Sequence, residues 1–263
     1  MEKNQNSNDN QYNPIRILNQ MVSEPYYLFH FLAFFSYIPV RCSASQLLSP
    51  HFNSRLLHRE LQAVLAFCVL TVVKMVREET WEAFTAEILF FAKIFLVAIA
   101  LVMDYHLAIW YMLVFLVIYI IAQQPAYNGL GASNQLTPLQ LEALLTEGTT
   151  SRFWLVEFRA LSSSTCIRTS RFFPDLSITY ANKNISFGIV DLGLFPNAAE
   201  RFGISLGSIG QLPVYILFEN ATEVTRFPQV NFEAKASNPP ITKKLLCQLF
   251  ELDRHLLQYV NGN

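Results

Sequence analysis

Sulfur and hydroxyl chemistry is what the residue types raise first. Four cysteines stand at positions 42, 68, 166 and 247, and no two form a C-x-x-C or C-x-x-H pair. Such spacing supports neither a disulfide-dense scaffold nor a cysteine zinc site, so no metal and no other cofactor is expected. Cys166 closes the run Ser162-Ser163-Ser164-Thr165-Cys166. A serine nucleophile needs a neighbouring base, yet no histidine lies between His106 and His255, and neither is placed by sequence to serve. Serine hydrolysis does not fit. A thiol nucleophile must first ionise, because the thiolate is the attacking species. The unpaired amides of a helix N-terminus would favour that charge at Cys166, while burial would oppose it. Arg159, Arg168 and Arg171 surround the run, and the sequence reads them as a solvated positive rim.

Two chemically different regions must carry these residues. The 263-residue chain is 52% hydrophobic and only 15% charged, against about 45–50% and 25% for average soluble proteins, which does not fit a fully water-soluble globule. All nine glycines lie at or after Gly129, whereas the long apolar runs precede it. Eight basic and eleven acidic residues come before position 151, a net charge of −3, and eleven and nine follow, a net charge of +2. Neither part has the basic excess that nucleic-acid binding needs, so no nucleic acid is expected as a partner.

Residues 1–25 are polar, with five asparagines among the first thirteen positions, and read as a disordered tail. Tyr26 to Val40 is mostly aromatic or aliphatic. As a helix it would span about 22 Å, short of the roughly 30 Å hydrocarbon core, which suits a re-entrant or interfacial segment or an anchor finished by its flanks. Leu61 to Val76 is apolar apart from Gln62, Thr71 and Lys74, and both a membrane segment and a buried soluble helix stay open for it. The strongest signal is Phe84 to Ala122, whose charges are Glu87, Lys93 and Asp104 alone. One helix of that length would be about 58 Å, so two helices turning near Asp104-Tyr105-His106 are expected, with at least one true span. Residues 26–122 thus read as a membrane-associated helical region whose partner is the lipid bilayer. Flanking positive charges divide too evenly to fix its orientation.

Gln123-Gln124-Pro125 and Asn128-Gly129-Leu130-Gly131 end the apolar region, and residues 123–150 read as a linker holding one short helix. That helix, Leu136 to Glu147, has Thr137 as its cap, Pro138 at its first position and Gly148 beyond its end. From 151 to 263 strands interleave with helices. Phe153–Phe158, Ser186–Asp191, Val214–Phe218 and Glu223–Phe227 are the predicted strands, and 166–180, 197–202 and 241–259 the helices, an α/β domain.

Trp154-Leu-Val-Glu-Phe-Arg-Ala160, followed by Cys166 and later by Gln211-Leu-Pro-Val-Tyr-Ile-Leu-Phe218, resembles the thioredoxin superfamily. With the phrase Glu24-Pro-Tyr-Tyr-Leu28 and the upstream apolar region, the chain from about 24 to 259 resembles the thioredoxin-related transmembrane protein 2 family. The expected fold class is therefore membrane helices followed by a thioredoxin-like α/β domain. The resemblance implies that Glu157 matches the buried acid, Ser163 the attacking cysteine, Cys166 the resolving cysteine and Pro213 a cis-proline. Ser162 replaces the usual tryptophan, and Arg171 stands where the active-site helix carries a kinking proline, with Pro174 three positions later.

Ser163-Ser164-Thr165-Cys166 is then a degenerate active-site loop, because dithiol exchange requires a first thiolate that serine cannot supply. The resemblance further implies an endoplasmic-reticulum membrane protein with the thioredoxin-like domain facing the cytosol. It would bind client or partner proteins at Leu212 and Pro213 and modulate redox state or folding without dithiol catalysis. The alternative is a weak oxidoreductase acting through Cys166 alone, with Glu157 shuttling a proton. A homo-oligomer is compatible with either. Two glycosylation sequons, Asn184-Ile-Ser186 and Asn220-Ala-Thr222, would be usable only in a secretory lumen.

Overall fold

The computed structural model describes residues 23–47, 49–147, 152–206, 212–228 and 240–262. Of the tail expected over residues 1–25, residues 1–22 lie outside them, as do Gly148 and Gln211, and Pro25 opens the first helix described below. The described residues fall into two compact units, one reaching to Glu78 and resuming over Phe84–Pro125, the other formed by Glu79–Ala83 and the chain from Ala126 onward.

Among the described residues, five helices precede residue 122: α1 (Pro25–Phe35), α2 (Tyr37–Leu47), α3 (Pro50–Arg77), α4 (Trp81–Met103) and α5 (Tyr105–Ile121). Pro25 and Pro50 open α1 and α3, where a missing N–H costs nothing, and the Ser49 hydroxyl accepts the Phe52 N–H. The aromatic stretch from Tyr26 is thus the first of two short helices that meet at Ser36. At 28 and 23 residues, α3 and α4 are long and apolar enough to cross a membrane. Their apolar side chains stay uncovered, Val69 at 65% exposure and Val76 at 84%. Cys68 of α3 is likewise exposed. The expected turn is present: the Asp104 carboxylate accepts the His106 N–H and caps α5. Small residues, Ala33, Ala100 and Ala108, let the helices approach around Tyr111 and Phe115.

The second unit is built on a five-stranded sheet of order β1-β3-β2-β4-β5. Its strands are β1 (Asn134–Gln135), β2 (Phe153–Arg159), β3 (Ile185–Asp191), β4 (Val214–Glu219) and β5 (Thr222–Phe227). β1 and β2 run parallel to β3, while β4 is antiparallel to β2 and to β5. The helices are α6 (Pro138–Glu147), α7 (Ser164–Thr169), α8 (Phe172–Tyr180), α9 (Asn197–Arg201), α10 (Lys243–Leu249) and α11 (Leu252–Asn261). β2 is central and buried on both faces, which explains why it is apolar apart from Glu157 and Arg159. Trp154, Val156 and Phe158 pack with Leu141 of α6 and Ala198 of α9. Leu155 packs on the other face with Phe173 of α8 and Leu246 of α10.

Residues 126–147, read from the sequence as linker, supply the edge strand β1 and the α6 helix of this unit. A reciprocal cap, Gln140 N–H to the Thr137 hydroxyl and Thr137 N–H to the Gln140 side chain, starts α6 where expected. Gly131 has φ +60, and a Cβ there would collide with the Pro174 carbonyl. The helix expected over 166–180 is two helices, because Pro174 offers no N–H to the Ser170 carbonyl and its ring crowds that oxygen. The closing helix is also divided, at Glu251, whose φ of 46° lies in the left-handed region. Asn220 and Ala221, with φ 48 and 70, form the tight two-residue turn between β4 and β5.

Candidate functional site

Strand alternation sends Leu155, Glu157 and Arg159 to the face of β2 covered by α8 and α10. Glu157 pairs in register with Ile189 of β3 and Tyr215 of β4. Its side chain is fully buried, and neither carboxyl oxygen nor the Tyr215 hydroxyl has a hydrogen bond of good geometry among the described residues. Burial pushes the Glu157 carboxyl up to about 7, with the Arg159 charge and the Tyr215 hydroxyl pulling the other way. Tyr215 is itself held well above the ordinary tyrosine range, chiefly by burial and then by the Glu157 charge. Arg159 is not part of a solvated rim: it is buried, with Nε and Nη1 unpartnered among the described residues. The strand period puts it on the inner face with Glu157, and that overrides the ordinary preference of arginine for water.

Past Arg159 the chain turns at Ala160, whose carbonyl accepts the Ser163 N–H at 3.0 Å, and Ser163 then opens α7. The Ser163 side chain makes no capping bond. It is half-buried, as is Thr165, while Ser164 is exposed and Cys166 is buried at 1%. Burial pushes the Cys166 thiol up to about 11, and the Glu157 charge adds to the shift. The Ala160 backbone, the Ser163 hydroxyl and the Arg159 charge oppose it. The structure therefore brings Glu157, Ser163 and Cys166 together, and adds Tyr215 and Arg159.

Cys166 forms no disulfide, and all four cysteines are free thiols. The Cys247 Sγ lies 3.6 Å from the Tyr180 hydroxyl, which donates to Asp253. Burial raises the Cys247 thiol too. Among the described residues, no three His, Cys, Asp or Glu side chains converge to hold a metal ion.

The Leu212–Pro213 peptide is cis. Pro213 is buried, and half-buried Leu212 packs against the core layer of Val156 and Phe158. Because Val214 pairs with Phe158, the start of β4 adjoins the end of β2 that leads into Ala160 and Ser163. Tyr215 was missed from the sequence as a site residue. Its signal is there in the alternation: two positions after Pro213, it faces the same side of the sheet as Glu157 once the strands pair.

Curated relatives align with most of this chain. Thioredoxin-related transmembrane protein 2 of Xenopus tropicalis is 28% identical over 244 residues, 90% of this chain and 84% of that protein. The Caenorhabditis elegans homologue is 29% identical over 68% of this chain and 67% of its own. The one from Drosophila melanogaster is 24% identical over 82% and 83%. The chain is homologous to the thioredoxin-related transmembrane protein 2 family. No family model matches it. Among solved structures, thioredoxin from Plasmodium falciparum aligns with 45% of this chain and 96% of its own, at 18% identity and a TM-score of 0.35. Thioredoxin NaTrxh from Nicotiana alata aligns with 50% and 99%, at 14% identity and 0.38. The fold of this chain rests on its own architecture: two long apolar helices ahead of a mixed sheet whose central strand leads into the Ser163–Cys166 turn.

Proposed function

We propose that this chain is a membrane-anchored, thioredoxin-fold adaptor of the endoplasmic reticulum that binds client or partner segments and influences redox state or folding without a dithiol cycle of its own. One observation carries the reading. Exchange must begin with a thiolate, and the start of α7 offers the half-buried Ser163 hydroxyl while the single thiol behind it, Cys166, is buried and pushed up to about 11. Leu212 is the docking position, since the chain ahead of β4 borders the same end of the sheet, and an extended segment laid there has backbone groups to pair with. The domain faces the cytosol, which leaves the exposed sequons at Asn184 and Asn220 unused.

Insulin reduction by the full-length protein in detergent tests the reading, with Cys166→Ala as control. No turnover in either form is expected, and Ser163→Cys should gain it by restoring the attacking thiol. Turnover in the native protein that vanishes in Cys166→Ala would replace the adaptor with a monothiol oxidoreductase. Orientation has its own measurement: an endoglycosidase shift lost in the Asn184→Gln, Asn220→Gln double variant would put the domain in the lumen.

A further inference from the structure

Lys93 is the thirteenth residue of the 23-residue helix α4. At 1.5 Å per residue it stands about 18 Å from one end and about 15 Å from the other. A lysine close to a helix end escapes the hydrocarbon by extending its four-carbon stem to the interface; from mid-span that stem is too short. A bare ammonium at this depth is among the costliest side chains a span can carry.

Its surroundings do not neutralise it. The Nζ lies 5.8 Å from the centre of the Phe115 ring, and His30 stacks on the same ring at 6.3 Å. Lys93 and His30 are near enough for their charges to interact. His30 is 1% exposed, and its Nδ1 lies 2.7 Å from the Tyr26 carbonyl. A carbonyl only accepts, so Nδ1 carries the hydrogen, and Nε2 remains an acceptor without a partner among the described residues. No carboxylate among the described residues lies within ion-pair distance of Lys93. Glu60 is taken by Arg41, Glu78 and Glu87 by Lys74, and Asp104 by the α5 cap and His106. Phe90 and Ile94, on either side of Lys93 in sequence, are exposed.

We propose that Lys93 is the docking point for a membrane helix of another protein that carries an aspartate or glutamate at mid-span. Charge complementarity selects this occupant. A second copy of this chain would bring lysine against lysine, since α4 has no carboxylate beside Lys93 at mid-span. An anionic lipid headgroup stays at the interface, about 15 Å away along the helix.

The test uses the full-length protein in neutral phosphatidylcholine vesicles with a labelled host helix of leucine and alanine bearing one mid-span glutamate, read by energy transfer. Association should exceed that of the all-leucine host about ten-fold. Lys93→Leu should abolish the difference, and Lys93→Arg should keep it. Lys93→Leu only makes α4 more apolar, so the helix still inserts; as a second variant, Lys93→Glu should transfer the preference to a host with a mid-span lysine. Equal association of both hosts, indifference to Lys93→Leu, or self-association of the protein through position 93 would each overturn the proposal.

Discussion

The two units handle the same residue types in opposite ways. In the sheet unit Val156, Phe158 and Ile216 are fully enclosed; in the helical unit Val76, Tyr119 and Ile120 are among the most exposed residues of the molecule. Water would penalise the second arrangement over a large continuous area, whereas lipid would not. The contrast extends to polar groups: each unit encloses awkward ones, among them Glu157 with Arg159 in the first and His30 near Lys93 in the second. The lesson is that apolar content alone describes neither unit, and the medium outside decides which apolar residues act as core.

The comparison breaks first, if it is wrong, on truncation of large side chains. Phe158→Ala should cost the sheet unit about 3–5 kcal/mol, read by hydrogen exchange of β2 in the full-length protein. Val69→Ala on α3 should change that exchange by less than about 0.5 kcal/mol. Similar losses for both would mean that α3 is packed rather than lipid-facing.

Next in size is the pH response of the buried carboxyl. Glu157 is raised to about 7 in the folded state from an ordinary value of 4.5. The unfolded chain therefore releases this proton first, and stability falls as pH rises from 4.5 to 7, with the full loss of about 3 kcal/mol present above that window. Glu157→Gln should flatten the slope in a denaturation series across pH 4 to 8, and an unchanged slope would show that the carboxyl is solvated.

A shift to about 11 from 9.0 at Cys166 means a thiolate fraction about a hundred-fold lower near neutral pH. Alkylation followed by mass spectrometry should mark Cys166 about a hundred times more slowly than an unperturbed thiol of a short peptide. Equal rates would favour the monothiol reading. The smallest effect expected is at the α6 cap, where Thr137→Ala should cost about 1 kcal/mol, measured by thermal unfolding.

Much of this was legible beforehand for identifiable reasons. β2, β3 and the β4–β5 hairpin are apolar or alternating runs set off by turn residues, and Asp104 interrupts an apolar stretch too long for one helix. What escaped depended on tertiary partners. β1 is two residues long and exists only because β3 is there to pair with it. Glu251 adopts a left-handed backbone that no local rule assigns to glutamate. Arg159 could be placed beside Glu157 by alternation, yet its burial depends on the helices that close over that face. At the candidate site, Ser163 and Cys166 were named through the resemblance of the Trp154–Ala160 and Gln211–Phe218 segments to thioredoxins, whereas Tyr215 required knowing that β4 lies against β2.

The lengths of the helices carry a further consequence. Between Glu60 and Lys74 the uncharged part of α3 is thirteen residues, and α5 is seventeen, or about 20 and 25 Å. Both fall short of a typical hydrocarbon thickness, so a thick, sterol-rich membrane would have to pinch around them, at a fraction of a kcal/mol for each ångström of shortfall. A bilayer of smaller hydrocarbon thickness would match both apolar stretches with less distortion.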